Sequence, residues 1–256
     1  MSFQGLDQLR ARVPDLRSPV RRLMVGLIGI ASFAAATAVM LTVDLPWPGW
    51  TLLGQFGVVI VAYLLVSQFF WQKTRLQTRY GDMAYRNAFG ACVLTGLPMI
   101  FAAIAHTAYL PGERAVTGGA ALVLWMIGFY SLATGLALWA RAVFTFGADN
   151  LAMLYVYFPA EGRIVDSSIY GLIRHPTYSA VVRLGMTLGL WRGTWCSIAF
   201  ALFMPIGLTI YLRLVEEPDL IERFGEAYAN YRQKVPAFVP RLRDAGRFHR
   251  FLVSGK

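Results

Sequence analysis

Cysteine, histidine and acid are scarce in this chain, and each shortage removes a class of function. The two cysteines, Cys92 and Cys196, lie far apart inside apolar runs, so a disulfide framework is not expected and a zinc site has too few ligands. Fourteen acids face 24 basic residues, a net charge of +10, yet charged residues make up only 15% of the chain. The basic residues stand at the ends of apolar runs and form no continuous face with interleaved aromatics, which argues against nucleic acid as a partner. No GxGxxG follows a strand-like run, so a Rossmann-type nucleotide site is unsupported. The polar stretch before the first apolar run is too long for a standard signal peptide, and that run is read as a retained membrane anchor.

What the chain has is hydrocarbon: 57% of its 256 residues are hydrophobic. That composition belongs to the membrane class and predicts an all-α, integral-membrane multi-helix bundle. Four runs long enough to cross about 30 Å of hydrocarbon extend over about 23–43, 51–71, 88–110 and 120–146. Gly26 and Gly29 in the first are small residues suited to close helix packing. Pro46 and Pro48 end that run, with Trp47 and Trp50 suited to the interface. Arg10, Arg12, Arg17, Arg21 and Arg22 precede it, and Lys73, Arg75, Arg79 and Arg86 follow the second run. The Lys/Arg excess of cytoplasmic loops therefore predicts a cytoplasmic N-terminus, a return to that side near Arg141, and agreement from Arg163 and Arg174. His106, near the outer end of the third run, is read as structural.

Beyond His175 the pattern changes. Residues 176–191, about 24 Å of helix at 1.5 Å per residue, are interrupted by Arg183 and end at Arg192-Gly193. A second run, 194–212, leads back to Arg213. The pair reads as a helical hairpin that opens on the cytoplasmic side, so His175 and Glu216 should converge at its mouth. Pro218 is expected to break or restart the helix. Leu220, Phe224, Tyr228 and Tyr231 then recur at helical spacing, with Asp219, Glu222, Arg223 and Arg232 opposite them: an amphipathic helix able to roof a pocket. The terminal RLRDAGRFHRFLVSGK reads as a loosely held basic tail on the inner leaflet, which leaves the C-terminus cytoplasmic as well. Chemistry is to be sought where Arg174, His175, Glu216 and Glu217 meet.

The ordered set Arg174-His175-Pro176-Thr177-Tyr178, Glu216-Glu217-Pro218-Asp219-Leu220, Phe224-Gly225-Glu226-Ala227-Tyr228-Ala229-Asn230-Tyr231 and Val235-Pro236 to Pro240 resembles the integral-membrane methyltransferases of the isoprenylcysteine carboxyl methyltransferase and phospholipid N-methyltransferase superfamily. The resemblance covers roughly the last 75 to 95 residues, and its pieces gain specificity from order and spacing. It implies S-adenosylmethionine as methyl donor and a lipid or lipophilic small-molecule acceptor within the bilayer, with no obligate protein partner evident. The implied division is acceptor-side spans over 1–146 and a donor region over 147–256. By motif match, Arg174, His175, Pro176, Tyr178, Glu216, Glu217 and Tyr228 would bind the donor. Arg213 resembles a basic residue used near the substrate. A carboxylate or thiolate acceptor would want a cation, Arg183 or Arg213; an amine would need a base, Glu216, Glu217 or His175. Two positions depart from the family pattern: Ala180 stands where glycine is usual, and Arg183 where a neutral residue is expected. Arg183 should face a polar cavity or pair with an acid. The alternative reading is a membrane NADPH-dependent reductase of sterol or steroid type, against which Thr177 replaces the usual asparagine.

Overall fold

The computed structural model describes residues 5–161 and 164–255; Arg163, used above for orientation, lies outside them. In hydrocarbon every backbone polar group must be satisfied within the protein, which leaves helices as the way for apolar runs like these to cross. The helices are α1 (Leu6–Arg12), α2 (Pro19–Asp44), α3 (Thr51–Trp71), α4 (Lys73–Tyr80), α5 (Ala84–Ala88), α6 (Leu94–His106), α7 (Gly118–Phe146), α8 (Ala148–Leu151), α9 (Leu154–Tyr157), α10 (Pro176–Arg192), α11 (Trp195–Tyr211), α12 (Glu217–Phe224), α13 (Glu226–Lys234) and α14 (Ala245–Ser254). No strand occurs among the described residues.

Five helical segments are long and apolar enough to cross a membrane: Pro19–Asp44, Pro48–Trp71, Lys73–His106, Gly118–Phe146 and Trp195–Phe224. The shortest, of 24 residues, spans about 36 Å at 1.5 Å per residue. Leu27, Ile30, Leu122, Met126, Phe129, Leu202, Phe203 and Ile206 face outward and exposed. This belt is incompatible with an aqueous surface and suited to lipid, so the chain is an integral membrane protein. Helix α10, 17 residues long, packs between α7 and α11. Its Gly189 permits this, because a Cβ there would come within 2.6 Å of Ala201 Cβ and 2.7 Å of Ser197 O.

The expected spans are present, but several details differ. The loop after α3 is itself helical, and α5 runs through a π turn (Phe89–Val93) into α6, so the third span is longer than its apolar run. A Cβ at Gly29 would meet Pro98 Cγ at 3.7 Å, whereas nothing comes within 4 Å of a Cβ at Gly26, which is therefore no packing residue. Pro218 does not break the helix but stands where it restarts, in the first turn of α12, which opens at Glu217. It lacks the N–H that a regular turn would use, and the chain widens just before it into a π turn, Leu212–Glu216, in which Glu217 N donates to Leu212 O. The amphipathic segment is instead divided at Gly225, whose φ of 57° and ψ of −137° suit glycine alone. Asp219 and Arg223 do not lie on a solvated side: Asp219 is buried between Arg223 and Lys73, with Lys73 Nζ at 2.8 Å. The terminal segment is no loose tail, for Phe248, Phe251 and Leu252 of α14 pack on Leu138, Ile169, Ile173 and Ala180.

At the end away from His175, His106 joins three helices. Its Nε2 lies 2.8 Å from Asp44 of α2 and its Nδ1 2.8 Å from Gln55 Oε1 of α3, while Gln55 donates to Ala103 O and Thr107 Oγ1 of α6 and the turn after it. At the other end Leu76 of α4, Ala84, Tyr85 and Ala88 of α5, the Met153–Phe158 stretch and Leu220 of α12 gather in one cluster with Tyr211, and Lys73 pairs with Asp219.

Candidate functional site

His175 occupies the position before α10, with Pro176 as first helical residue, where a missing N–H costs nothing. The stretch Val235–Phe238 lies along this corner. Arg174 N donates to Pro236 O (2.9 Å), His175 N to Ala237 O (3.1 Å) and Ser179 Oγ to Phe238 O (2.6 Å). That is the physical use of the Val-Pro segment: it supplies carbonyls to a backbone that would otherwise be buried unpaired.

The expected convergence of His175 and Glu216 is present, His175 Nδ1 standing 3.8 Å from Glu216 Oε1. The two adjacent acids differ sharply in what surrounds them. Glu217 takes Arg174 Nε at 2.8 Å, His175 Nε2 at 3.4 Å and Arg232 Nη1 at 3.5 Å. Arg174 also donates to Val235 O (2.6 Å) and Arg232 O (3.2 Å). Glu217 is thus enclosed by basic partners, and it lines neither of the cavities described below. Glu216 accepts from Tyr178 Oη at 2.6 Å, beneath a His175–Tyr178 stack with centroids 5.7 Å apart, and faces open space.

That space consists of two cavities, of about 60 and 230 Å³. The smaller lies under α12 and α13, between Leu220, Phe224, Tyr228 and Tyr231 and the Ile164–Tyr170 stretch. The larger runs into the bundle between Tyr63, Leu97, Phe101, Trp139, Met204, Leu208 and Tyr211. They share Phe146, Asn150, Tyr155, Tyr170, Arg174, His175 and Glu216. A cleft of about 290 Å³ on the α6–α7–α10 surface shares Phe101, Trp139 and Val181 with the larger cavity. Phe101 and Trp139 are exposed there, so the lipid-facing cleft and the inner cavity are bounded by the same two aromatic side chains.

Of the residues singled out from sequence, Arg174, His175 and Glu216 line both cavities, Pro176 and Tyr178 the larger, and Tyr228 the smaller. Arg183 and Arg213 line neither, which corrects both expectations. Arg183 faces no polar cavity and no acid; it donates to Thr134 Oγ1 (2.9 Å) and lies over the Phe248 ring at 5.5 Å. In a regular helix Arg213 would share a face with Glu216 and Glu217. The π turn inserts one residue, rotates Arg213 outward and leaves it exposed. Tyr155, Tyr170, Asn150 and Tyr211 were not anticipated. Asn150, Tyr155 and Tyr170 come from short helices and a turn whose local sequence carries no chemical motif, although the tyrosine-rich Tyr155–Phe158 stretch was a signal, and Tyr211 ends the long apolar helix α11.

Burial raises the Tyr155, Tyr170 and Tyr228 phenols above their ordinary range, and the nearby Glu216 charge adds to this in each. They stay protonated and neutral. Tyr231 donates to Tyr170 O at 2.7 Å, whereas the Tyr170 and Tyr228 hydroxyls have no partner. The junction is therefore one carboxylate ringed by aromatic faces, suited to a compact cation through charge and cation–π attraction.

Residues 123–227 match a family model described as Phospholipid methyltransferase. A methanethiol S-methyltransferase of Pseudomonas deceptionensis is 32% identical over 88 residues, covering 33% of this chain and 31% of that protein. One of Crocosphaera subtropica is 31% identical over 102 residues, covering 37% and 38%. Methanethiol S-methyltransferase 2 of Bradyrhizobium diazoefficiens is 38% identical over 77 residues, covering 29% and 27%. The matches span about a third of the length of these curated relatives. No solved structure matches the chain.

Proposed function

We propose, for a chain that through residues 123–227 belongs to the phospholipid and isoprenylcysteine carboxyl methyltransferase superfamily of membrane methyltransferases, methyl transfer from S-adenosylmethionine to a lipophilic acceptor held within the bilayer. The observation that carries this reading is the meeting of two cavities at His175 and Glu216, one beneath the Leu220, Phe224, Tyr228 and Tyr231 face of α12 and α13 and one running between the spans toward the lipid-facing cleft. The same superfamily assignment disfavours the NADPH reductase.

The smaller cavity fits the donor in chemistry. When bound, S-adenosylmethionine supplies an electrophilic methyl on a cationic sulfur. Glu216 and the faces of Tyr155, Tyr170 and Tyr228 would hold that cation, and the unpartnered Tyr170 and Tyr228 hydroxyls are free to bond the nucleoside portion. Glu217 acts one step back, orienting Arg174 and His175. The smaller cavity, of about 60 Å³, meets the larger, of about 230 Å³, at the residues they share, so the donor would occupy the junction as well as the space under α13.

The larger cavity holds the acceptor, which enters between α6, α7 and α10. Arg174, the cation on its wall, is already committed to Glu217 and two carbonyls. An anionic carboxylate acceptor would therefore lack a counter-charge, which favours an uncharged thiol or amine. As the new bond to the methyl carbon forms, the carbon–sulfur bond breaks with its electron pair going to sulfur. The acceptor's proton passes to Glu216. Positioning supplies most of the acceleration. The basic Lys73–Arg86 and Arg10–Arg22 stretches lie at the His175 end, so that end and both termini face the cytoplasm.

Calorimetric titration of the detergent-purified protein with S-adenosylhomocysteine and with NADPH tests this. Binding of the nucleoside product alone is expected; binding of NADPH alone would end the methyltransferase reading.

A further inference from the structure

We infer that Tyr211 is an acceptor-binding residue, its hydroxyl giving the hydrogen bond that orients the acceptor's reacting group toward the junction. The inference rests on the methyltransferase reading above and goes further by naming a specificity-determining contact. Tyr211 and Glu216 are five residues apart, a separation that a regular helix turns about 140° away from alignment at 3.6 residues per turn. The π turn between them closes five residues per hydrogen bond, Glu217 N to Leu212 O, and brings both side chains to the same cavity.

The Tyr211 hydroxyl is buried and has no partner in the fold. Buried hydroxyls are ordinarily bonded, so one left open on a cavity wall points to a ligand. Its ring is held by stacking on Tyr63 of α3, with centroids 5.3 Å apart and planes 25° apart. Three other polar groups on that wall are engaged within the fold: Tyr178 donates to Glu216, Asn150 to Phe146 O and Arg174 to Glu217. Tyr170, whose hydroxyl is also unpartnered, lines both cavities and serves the junction. Tyr211 lines the larger cavity and not the smaller, beside apolar Met204 and Leu208. Its oxygen is a buried, unpartnered polar atom that an otherwise hydrophobic acceptor meets as it approaches Glu216.

The test compares wild type with Tyr211→Phe, which keeps the stack on Tyr63 and removes one oxygen. 1-Octanethiol and octylamine serve as probe acceptors, and S-adenosylhomocysteine affinity is measured by calorimetry. With the protein saturated in S-adenosylhomocysteine, Tyr211→Phe is expected to weaken binding of at least one probe about 10-fold, the factor for one lost neutral hydrogen bond. Affinity for S-adenosylhomocysteine should be unchanged, and any rise in KM should exceed the change in kcat. Unchanged probe affinity overturns the assignment. So does a loss of S-adenosylhomocysteine affinity in the variant, which would move Tyr211 to the donor wall. Wild type that binds S-adenosylhomocysteine but neither probe overturns the acceptor role of the larger cavity, and Tyr211 with it. Wild type that binds no S-adenosylhomocysteine fails at the earlier reading instead.

Discussion

Replacing Glu217 by alanine should unfold the donor corner rather than slow chemistry. The side chain of Glu217 is 3% exposed and meets three basic side chains, the nearest contact being Arg174 Nε at 2.8 Å. Removing one partner of a buried ion pair leaves an uncompensated charge and costs about 3–5 kcal/mol. Arg174 keeps the Val235 and Arg232 carbonyls and is itself 15% exposed, so the lower end of that range applies. At 2–4 °C per kcal/mol for a chain of this size, the melting temperature in detergent should fall by roughly 6–12 °C. The double variant Glu217→Leu/Arg174→Met, which leaves no orphaned charge on this pair, should recover much of that loss. Melting followed by circular dichroism, together with S-adenosylhomocysteine titration, reads both quantities. A Glu217→Ala protein that melts within about 2 °C of wild type would refute the argument, because the enclosure by basic side chains would then contribute less than 1 kcal/mol.

Three further outcomes separate the roles argued above. Glu216→Gln should retain the fold and S-adenosylhomocysteine binding within a few-fold while methyl transfer falls about 10²–10⁴-fold; a retained rate would remove Glu216 as base. Arg213→Ala should leave donor affinity and transfer unchanged and stability within about 0.5 kcal/mol, as for other exposed sites, and a large loss would return Arg213 to the site. Tyr170, Tyr228 and Tyr231 keep their protons in the fold above their ordinary range through burial, while an unfolded chain releases them near pH 10. Stability from these groups is therefore full below about pH 10 and is lost as pH rises toward their raised values. Tyrosinate absorbance appearing well below the alkaline unfolding transition would contradict their burial.

Much of the hairpin was legible because its signal is local and costly to counterfeit. An apolar run ending at Arg192-Gly193 and reversing into another run brings the two ends together whatever the surroundings. The error over Arg213 has an equally definite cause: helical spacing was counted at 3.6 residues per turn through a segment where one extra residue resets every face beyond it. Pro218 carried the hint of that irregularity. Arg183 was assigned to a cavity because a cation in an apolar run needs a partner. Its partners are a hydroxyl on α7 and the ring of Phe248, 65 positions further along, and periodicity has no access to a pairing at that distance.

Hydrophobic run length alone determined the helical membrane class and the spans, since a bilayer leaves the backbone no other way to satisfy its hydrogen bonds. The motif residues Arg174 to Tyr178 and Glu216 to Glu217 likewise marked the corner where chemistry is proposed. Only the tertiary structure decided which acid is enclosed by basic side chains and which is open, and which tyrosines surround the open one. Those distinctions depend on packing between segments distant in sequence, and on a single widened turn that changes which side chains share a face.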